Sequence, residues 1–437
     1  MTAAAIVATA IVACSGAGAL VHVASAQPAG GTSPPLTENA PAQPAGGTPD
    51  TTGDAPPDVT ADQAVALYRA RSPRLLANRA AIDVTAADLV DAQIYPNPTL
   101  SVSTTNIVQG QDTFGHSQET VGLDVPILIG GQRGHRARAA TARVAAKRAE
   151  LDVDQARAEI EIRRRFLALL TAQRKVAALA TALDDARAVR VIVAGRQQAG
   201  AKSPYELERT DLALAALASK HDEAITDAAT ASGALAQAVG IPRWQPRAVG
   251  AFELPAPGPA DTSLGTDHPE LVAGMAARIA ARSEQALAHA EAVPTPSLQL
   301  QGFGTTDPQG IALTVGLAIP LPLFDRNQGA IARARAQERA ADLDHRATAT
   351  ELSADLARAV AILEARRAAA ARFQADAIAR LPRVRTMAEA SYRAGQGSIV
   401  ELLDALDAIT EAQLRDIELV AAALDAELDV RAAARGR

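Results

Sequence analysis

Two spacings of apolar residues alternate along the chain, and each predicts a different kind of element. Over long stretches apolar residues recur every three, four or seven positions, as in Val153, Ile160 and Leu167, which is the spacing of one helix face. Over shorter stretches they recur at every second position, as in Val121 and Leu123, which is the spacing of a strand. The chain therefore combines long helices with short strands.

The strand-type pattern predicts two hairpins. Their strands span about 99–108 and 118–128 in the first, and about 297–304 and 310–320 in the second. Each strand is about ten residues long, which is close to the length of a tilted transmembrane β-strand. A hairpin in a soluble sheet gives the same pattern. Two observations favour strands in a membrane: the uncharged N-terminal residues 1–26 predict export, and only two such hairpins are present.

The helix-type pattern predicts four long helices, at about 133–199, 204–239, 328–393 and 398–432. A helix of about 65 residues is roughly 100 Å long, and such a length without caps is typical of a coiled coil. Pro382 lies inside the third helix, where it removes one backbone hydrogen bond, so we predict a kink there. A shorter helical pattern precedes the first hairpin and begins near Thr60.

This order of elements occurs twice. Ser72-Pro73, Pro96-Asn97-Pro98, the strand at 121–126 and Ala199-Gly200 each have a counterpart about 195 residues further along the chain. We interpret the chain as a tandem duplication, with a first repeat at 59–241 and a second at 267–432. Residues 242–266 contain several prolines and form an irregular connection between the repeats.

The small number of predicted strands has a consequence for assembly. Two hairpins cannot close a barrel, and an open sheet edge is not tolerated in hydrocarbon. Strands in a membrane therefore have to be pooled between copies of the chain. Two copies would fill their barrel with side chains, whereas three copies would leave space inside.

The N-terminal residues predict export. Residues 1–26 contain no charged side chain, and Ala24-Ser25-Ala26 forms a cleavage pattern before Gln27, so we predict a signal peptide. A basic beginning is missing, which is consistent with a start codon further upstream. In one alternative Cys14 is the lipidated residue of a lipoprotein box, and in another the segment stays as a membrane helix. Residues 27–58, rich in Pro, Gly, Thr and Ala, predict a flexible linker. No later stretch approaches the roughly 18 apolar residues of a membrane helix.

Composition narrows the classes of function. Hydrophobic residues make up 48% of the chain but aromatic residues only 3%, which suits close-packed alanine-rich helices. The net charge of −6 provides no basic surface for nucleic acid. Cys14 is the only cysteine, the histidines are scattered, and the motifs HExxH, GxSxG and the phosphate loop are missing. We therefore expect no enzyme activity, no cofactor and no metal site.

The candidate chemistry lies at two breaks between long helices, one in each repeat. At each break glycine interrupts the helical pattern, and a serine is followed three residues later by a glutamate: Ser203 with Glu206, and Ser398 with Glu401. This spacing predicts a capping box, in which the hydroxyl accepts a hydrogen bond from a free N–H group and the carboxylate reaches back. Each stretch therefore predicts a helix, a tight turn and a new helix.

Several segments of the chain resemble a known family. The segments 96–101 (PNPTLS), 122–140 and 392–408 are similar to the outer membrane factors of the TolC family, the exit ducts of tripartite efflux systems, and the similarity extends from about Thr60 to Arg431. The segment 319–336 is most similar to the heavy-metal branch (CzcC- and CusC-like). The resemblance implies a mainly α fold with a transmembrane β part, the TolC-like α/β barrel.

The resemblance also implies an assembly and a location. It implies a homotrimer whose barrel contacts outer membrane lipid in a Gram-negative bacterium, and whose helices form a tunnel through the periplasm. A periplasmic adaptor and an inner-membrane RND-type pump are the implied partners. Heavy-metal cations would pass through passively, without chemistry.

Individual residues receive implied roles at the periplasmic gate. The carboxylates that narrow the tunnel match Glu401 and Asp404, and the latch tyrosine with its acidic partner matches Tyr392 with Glu206. A ring of such carboxylates favours cations. At the position where some members have a basic latch residue, this chain has Gly397. Arg393 and Lys202 are candidate substitutes for that residue. The implied adaptor-docking residues are Gly200, Ala201, Lys202, Ser203, Gly395, Gln396, Gly397 and Ser398.

Plainer interpretations exist for each of these residues. Glu206 and Glu401 would be capping carboxylates only, Asp404 a solvated charge and Tyr392 an ordinary packing residue. For the whole chain the alternatives are a soluble periplasmic coiled-coil adaptor or structural protein, and a duct for organic toxicants. Adaptors usually have one helical hairpin flanked by β-rich domains, whereas this sequence alternates two helical hairpins with two strand pairs.

Overall fold

The structure is a computed structural model that describes residues 55–106, 117–198, 204–255, 264–305 and 311–435. The predicted signal peptide with Cys14, most of the predicted linker, and the predicted docking residues 200–203 lie outside these ranges. The chain divides into two compact units. We call them the strand unit, which contains Val84–Ala145 and Ala277–Ala341, and the helical unit, which contains Thr48–Asp83, Ala146–Ala276 and Asp342–Arg437.

Long helices and short strands alternate in the described chain. In chain order the elements are β1 (Asp58–Val59), α1 (Ala61–Arg71), α2 (Pro73–Gln93), β2 (Thr99–Asn106), β3 (Ser117–Pro126), α3 (Gln132–Gln198), α4 (Pro204–Val239), β4 (Arg247–Ala248), α5 (Pro269–Glu291), β5 (Ser297–Thr305), β6 (Ile311–Ala318), α6 (Gln328–Asp376), α7 (Leu381–Arg393) and α8 (Ile399–Arg435). The predicted strands and three of the four predicted long helices lie close to these bounds.

The third long helix was predicted wrongly as one element with a kink. Helix α6 ends at Asp376, a short 3-10 helix follows at Ile378–Arg380, and α7 then begins at Leu381. Pro382 lies in the first turn of α7. Proline has no N–H group, and the first turn of a helix is the place where that group needs no partner inside the helix. The proline therefore marks a new helix start.

Two short strands lie in regions that were predicted to be irregular. Asp58–Val59 pairs in parallel with Arg247–Ala248, so the linker prediction is wrong at its end and so is the description of 242–266 as irregular throughout. Val59 is fully buried, and the Trp244 Nε1–H donates to the Pro56 carbonyl at 3.0 Å. Strands of two residues are too short to show an alternation, which is why the sequence pattern did not indicate them.

The strand unit contains a sheet of four strands in the order β2-β3-β5-β6, with all neighbours antiparallel. Each predicted hairpin forms within its own repeat. The pairing of β3 with β5 then joins the hairpin of the first repeat to the hairpin of the second. Among the described strands, β2 and β6 each pair on one side only.

The helical unit is held together by apolar clusters between its helices. One of them, near the second predicted helix break, contains Val189, Val193, Tyr392, Ile399 and Leu402. These residues come from α3, α7 and α8, so the cluster ties both repeats together at that point. Burial of such side chains contributes about 1.5–3 kcal/mol each before conformational entropy is counted.

Hydropathy corrects one expectation from the sequence. Within the described residues, α3 contains an 18-residue window with a mean hydropathy of 1.3, enough to cross a membrane by length and composition. No such stretch was expected beyond the N-terminal segment. The helix is 67 residues long, about 100 Å, which is far more than one membrane crossing. Helices in the core of soluble proteins pass the same test, so the hydropathy of α3 alone does not place it in a membrane.

Candidate functional site

The sheet has one face that is apolar from edge to edge. In one row across the four strands, Leu100 lies beside Leu123, Leu123 beside Leu300, and Leu300 beside Val315. On the outer strands these side chains are exposed, with 65% exposure for Leu100 and 63% for Val315. An exposed apolar area costs about 25 cal/mol per Å² in water, so a face of this kind requires another environment.

The opposite face of the same sheet is polar. The next row contains Ser101, Gly122, Gln301 and Thr314, and in a further row the Gln299 Nε2 amide donates to Asp124 Oδ2 at 3.3 Å. Alternation between an apolar and a polar face is typical of outer-membrane strands, where one face contacts lipid and the other faces the lumen. The sheet therefore has one apolar face and one polar face.

The second helix break is a well-formed turn. Gly395 has a positive φ of 73°, a conformation that favours glycine. Its N–H donates to the Tyr392 carbonyl at 3.1 Å, and the Gln396 N–H donates to the Ser391 carbonyl at 3.1 Å. These two bonds form a Schellman motif, which satisfies carbonyls at the end of α7. Gly395, Gln396 and Ser398 are exposed at this turn.

The predicted capping box at the start of α8 is confirmed. Ser398 Oγ accepts a hydrogen bond from the Glu401 N–H at 3.3 Å, and Glu401 Oε2 accepts one from the Ser398 N–H at 3.1 Å. The carboxylate of Glu401 is exposed and its position is fixed by the backbone. Within the described part of the chain only one of its two oxygens is bonded.

The same geometry leaves little room for a side chain at position 397. A Cβ atom on Gly397 would lie 2.8 Å from Ser391 Oγ and 3.1 Å from Glu401 Oε2, both closer than ordinary contacts. A side chain there would require the Ser391 hydroxyl or the Glu401 carboxylate of the capping box to shift. Gly397 itself supplies no basic group to this turn.

Tyr392 and Glu206, matched by resemblance alone, lie next to each other. The Tyr392 hydroxyl donates to Glu206 Oε2 at 3.3 Å, while its ring is 2% exposed within the apolar cluster described above. Burial, and then the negative charge of Glu206, raise the pKa of Tyr392 above its ordinary value, because both disfavour a phenolate. The pair joins α7 of the second repeat to α4 of the first.

Arg196, near the end of α3, is the residue that the sequence reasoning missed. Its Nη1 donates to the Tyr392 carbonyl at 3.0 Å and its Nη2 to the Arg393 carbonyl at 2.8 Å. The guanidinium also lies 4.7 Å from the centre of the Tyr392 ring. A basic residue in the last turn of a helix was visible in the sequence, but its position suggested its own helix end as the partner.

Of the two proposed substitutes for the basic latch residue, only Arg393 lies among the described residues. Arg393 donates to Glu389 Oε2 of its own helix at 3.0 Å, and Lys202 lies outside the described ranges. The substitution of the basic latch residue by Arg393 or Lys202 therefore stays a prediction. The basic side chain that contacts the turn in this structure is that of Arg196.

Asp404 lies one turn further along α8 than Glu401. It is exposed and lines a cavity of about 500 Å³ together with Lys220, Arg385 and Asp407. Two cations of this cavity have other partners, since Lys220 pairs with Glu411 at 2.6 Å and Arg385 pairs with Asp185. Within the ranges that the structure covers, Asp404 has no ion-pair partner. Those ranges also contain no group of three or more His, Cys, Asp or Glu side chains placed to hold a metal.

Known proteins resemble this chain over most of its length. A family model described as outer membrane efflux protein matches residues 64–241 and 266–434, one match in each repeat. The cobalt-zinc-cadmium resistance protein CzcC of Cupriavidus metallidurans is 26% identical over 364 residues, which cover 82% of this chain and 85% of that protein.

Solved structures share the fold. Crystal structures of CusC superpose with a TM-score of 0.71 at 16% identity, covering 86% of this chain and 92% of that one. The CmeC outer membrane channel of Campylobacter jejuni superposes with a TM-score of 0.71 at 16% identity, covering 86% of this chain and 85% of that one. The arrangement of two strand pairs and long helices is therefore an arrangement already known.

Proposed function

Because this chain belongs to the outer membrane efflux protein family, we propose that it is the exit duct of a tripartite heavy-metal efflux system. Members of the family are outer membrane channels of Gram-negative bacteria, and they work with adaptor and pump partners. For this chain we propose a periplasmic adaptor and an inner-membrane RND-type pump as the partners. The duct conducts its substrate passively, and no catalytic step is expected.

The observation that carries the proposal is the sheet with two different faces and two open edges. A membrane-spanning sheet must close on itself, because unpaired backbone groups are costly in hydrocarbon. The order β2-β3-β5-β6 begins and ends with strands that run in opposite directions, so β2 of a second copy would lie antiparallel to β6 of the first. Three copies continue this alternation into a barrel with space inside.

Metal cations are the proposed substrates. The support is the similarity to CzcC across most of both chains, since the name of that protein states resistance to cobalt, zinc and cadmium. Carboxylates near the second break agree with cationic cargo, because acidic rings favour cations in pores. A deletion strain is expected to become sensitive to cobalt, zinc or cadmium salts and to regain resistance with the intact gene. Sensitivity to organic toxicants alone would contradict the metal assignment.

We propose that the second break is the periplasmic gate. Three copies would bring the carboxylates of Glu401 and Asp404 together in the constriction, and Tyr392, Glu206 and Arg196 would hold the turn in its closed position. The exposed turn at Gly395–Ser398, together with 200–203, is the proposed docking surface for the adaptor.

The gate is tested by conductance in planar bilayers. The double variant Glu401→Ala with Asp404→Ala is expected to raise conductance and to weaken block by multivalent cations, because the acidic ring is removed. Because Glu401 also caps α8, Glu401→Gln with Asp404→Asn is the matched variant that retains polar groups. Unchanged currents in both variants would mean that the constriction lies elsewhere.

A further inference from the structure

The apolar alternation of β6 continues beyond the end of the strand. Backbone pairing with β5 ends at Ala318, but every second residue remains apolar through Ile319, Leu321 and Leu323. Leu321 is 72% exposed, and the neighbouring Phe324 is 93% exposed. The exposed apolar surface of the sheet therefore extends into the connection that leads to α6.

Two prolines shape this extension. Pro320 and Pro322 have no N–H group, so they cannot continue the hydrogen bonds of a sheet, and their fixed φ keeps the chain extended. The Leu323 N–H donates to the Leu321 carbonyl at 2.8 Å, which makes a tight turn around Pro322. Phe324 follows this turn and points its ring into the surroundings.

Polar contacts hold the loop behind its apolar side chains. The Asn327 Nδ2 amide donates to the Ala288 carbonyl at 2.8 Å, and the Arg326 Nε–H donates to the Pro322 carbonyl at 3.2 Å. The Gln328 Nε2 amide donates to the Phe324 carbonyl at 3.1 Å. The polar side chains of the loop thus form hydrogen bonds with backbone carbonyls, while its apolar side chains are exposed. Such a surface is costly in water and indicates a different environment.

The first repeat has the same feature at the same end of the sheet. After β3, the apolar residues Ile127 and Ile129 again follow at every second position, and Ile129 is 60% exposed. Because the sheet is antiparallel, β3 and β6 end where β2 and β5 begin. At this end Tyr95 accepts a hydrogen bond on its hydroxyl from the Leu128 N–H at 3.0 Å, so an aromatic ring with a polar tip lies here too.

We propose that these residues form a lipid-contact collar, defined as Ile127, Ile129, Ile319, Leu321, Leu323 and Phe324, which lies in the interfacial layer of the membrane leaflet on the helix side of the sheet. The inference rests on the proposed function, which places the apolar sheet face in the bilayer. Lipid is the occupant because the collar continues that apolar face without a break. Asp325 and Arg326 follow Phe324 at once and mark the transition to water. Apolar and aromatic side chains are typical of this depth in membrane proteins.

Site-directed spin labelling tests the collar in the full-length protein. Cys14 is the only cysteine, so Cys14→Ser gives a background in which single cysteines can be labelled. The test positions are Phe324→Cys and, in case that variant fails to assemble, Leu321→Cys. Leu313→Cys on the apolar sheet face is the lipid control, and Met387→Cys, 62% exposed on α7, is the water control. The protein is reconstituted into vesicles of phosphatidylethanolamine and phosphatidylglycerol, and each label is relaxed by dioxygen or by a neutral nickel chelate.

The expected result is a ratio of dioxygen to nickel accessibility at Phe324 that is severalfold above that at Met387 and no higher than that at Leu313. A ratio equal to that of Met387, with Leu313 still in lipid, would overturn the collar and leave the proposed function intact. Protection of Phe324 from both reagents would also overturn it, because it would show a protein neighbour. A water-like ratio at Leu313 itself would contradict the membrane position of the sheet and hence the proposed function.

Discussion

At the scale of single residues, one guanidinium group connects the ends of two helices. Arg196 lies in the last turn of α3 and donates to two carbonyls at the end of α7. Carbonyls at a helix end carry partial negative charge and have no partner inside the helix, so a cation there is favourable. The ring of Tyr392 adds a cation–π contact. The turn that follows α7 in the second repeat is therefore held in place by a residue of α3 in the first repeat.

The consequence is testable with Arg196→Ala. Loss of two charge-assisted hydrogen bonds is expected to weaken the local structure of the turn by about 1–3 kcal/mol. Hydrogen exchange of the Gln396 and Gly397 amides measures this free energy of local opening, since both amides bond to Ser391 in the turn. Arg187→Ala is the matched control, because Arg187 is exposed on the same helix and pairs only with Asp184 among the described residues. Equal exchange in both variants would contradict the role of Arg196.

Tyr392 predicts a response to alkaline pH. Its pKa is raised in the folded protein, first by burial and then by the charge of Glu206. Below pH 10.0, the ordinary pKa, the stabilisation is fully present, and it is lost as pH rises through the raised pKa, because the unfolded phenol loses its proton first. The difference in tyrosinate absorbance between the native protein and Tyr392→Phe should titrate above pH 10.0. A titration at or below the ordinary pKa would count against the buried pair with Glu206.

The sequence indicated some of these residues and not others. The capping box of Ser398 and Glu401 is local, so a spacing of three residues was enough to predict it. The resemblance paired Tyr392 with Glu206, which lie 186 positions apart along the chain. Arg196 and its carbonyl partners are connected only by the packing of α3 against α7. No local pattern in the sequence predicts which helices pack together, so this contact could not be predicted and is seen only in the structure.

At the scale of elements, the strands could be predicted from the sequence because their two faces differ chemically. Leu100, Val102, Leu313 and Val315 alternate with Ser, Thr and Ala residues, and the register places them on one face. The pairing of β3 with β5 could not be predicted from this alternation. Strands of similar alternation are equivalent partners, and nothing local selects one neighbour over another.

A pair of arginine substitutions distinguishes the two faces. Leu313→Arg places a charge on the apolar face, where it is expected to cost about 2–4 kcal/mol in a bilayer. Thr314→Arg, one residue further along β6, places the same charge on the polar face and should be tolerated. The yield of assembled protein in outer membranes and its resistance to heat measure the difference. Equal yields would argue against a lipid-facing sheet.

The break before α7 can be tested through its proline. Because Pro382 lies in the first turn, Pro382→Ala should change the free energy of unfolding by no more than about 0.5 kcal/mol. Met387→Pro, at an exposed position inside α7, should cost about 3 kcal/mol or more through the backbone alone. Thermal unfolding followed by circular dichroism compares the two. A large stabilisation by Pro382→Ala would instead indicate a strained continuous helix.

At the scale of the whole molecule, the duplication was visible from landmarks such as Pro96-Asn97-Pro98 and Pro294-Thr295-Pro296. The family model matches each repeat once, in agreement with this interpretation. Association of copies through the outer strands is a proposal that follows from the open edges of β2 and β6. These two strands lie on opposite edges of the sheet and do not pair within one chain.

Charges on the two edges provide a test of that association. Ser103→Glu with Thr314→Glu puts like charges on β2 and β6, whereas Ser103→Glu with Thr314→Lys puts opposite charges there. Both positions lie on the polar face of the sheet, and a cross-strand pair of charges is worth about 0.2–1 kcal/mol. The fraction of trimer in detergent, measured by native mass spectrometry, should be lower for the like-charged variant. Identical fractions would argue against a junction that brings these two positions together, since the two sites do not contact each other within one copy.

The pairing of β3 with β5 also affects how readily separate copies of the chain would assemble into a closed sheet at low protein concentration. Association of separate chains costs an estimated 4–15 kcal/mol in lost translational and rotational freedom for each copy added. A hypothetical protein with one repeat would need twice as many copies for the same wall, and every junction would carry that cost. In the proposed ring every second junction lies inside a continuous polypeptide, where the partner strand is always present at a high effective concentration. Fusion of the repeats therefore shifts the balance towards complete rings at low abundance.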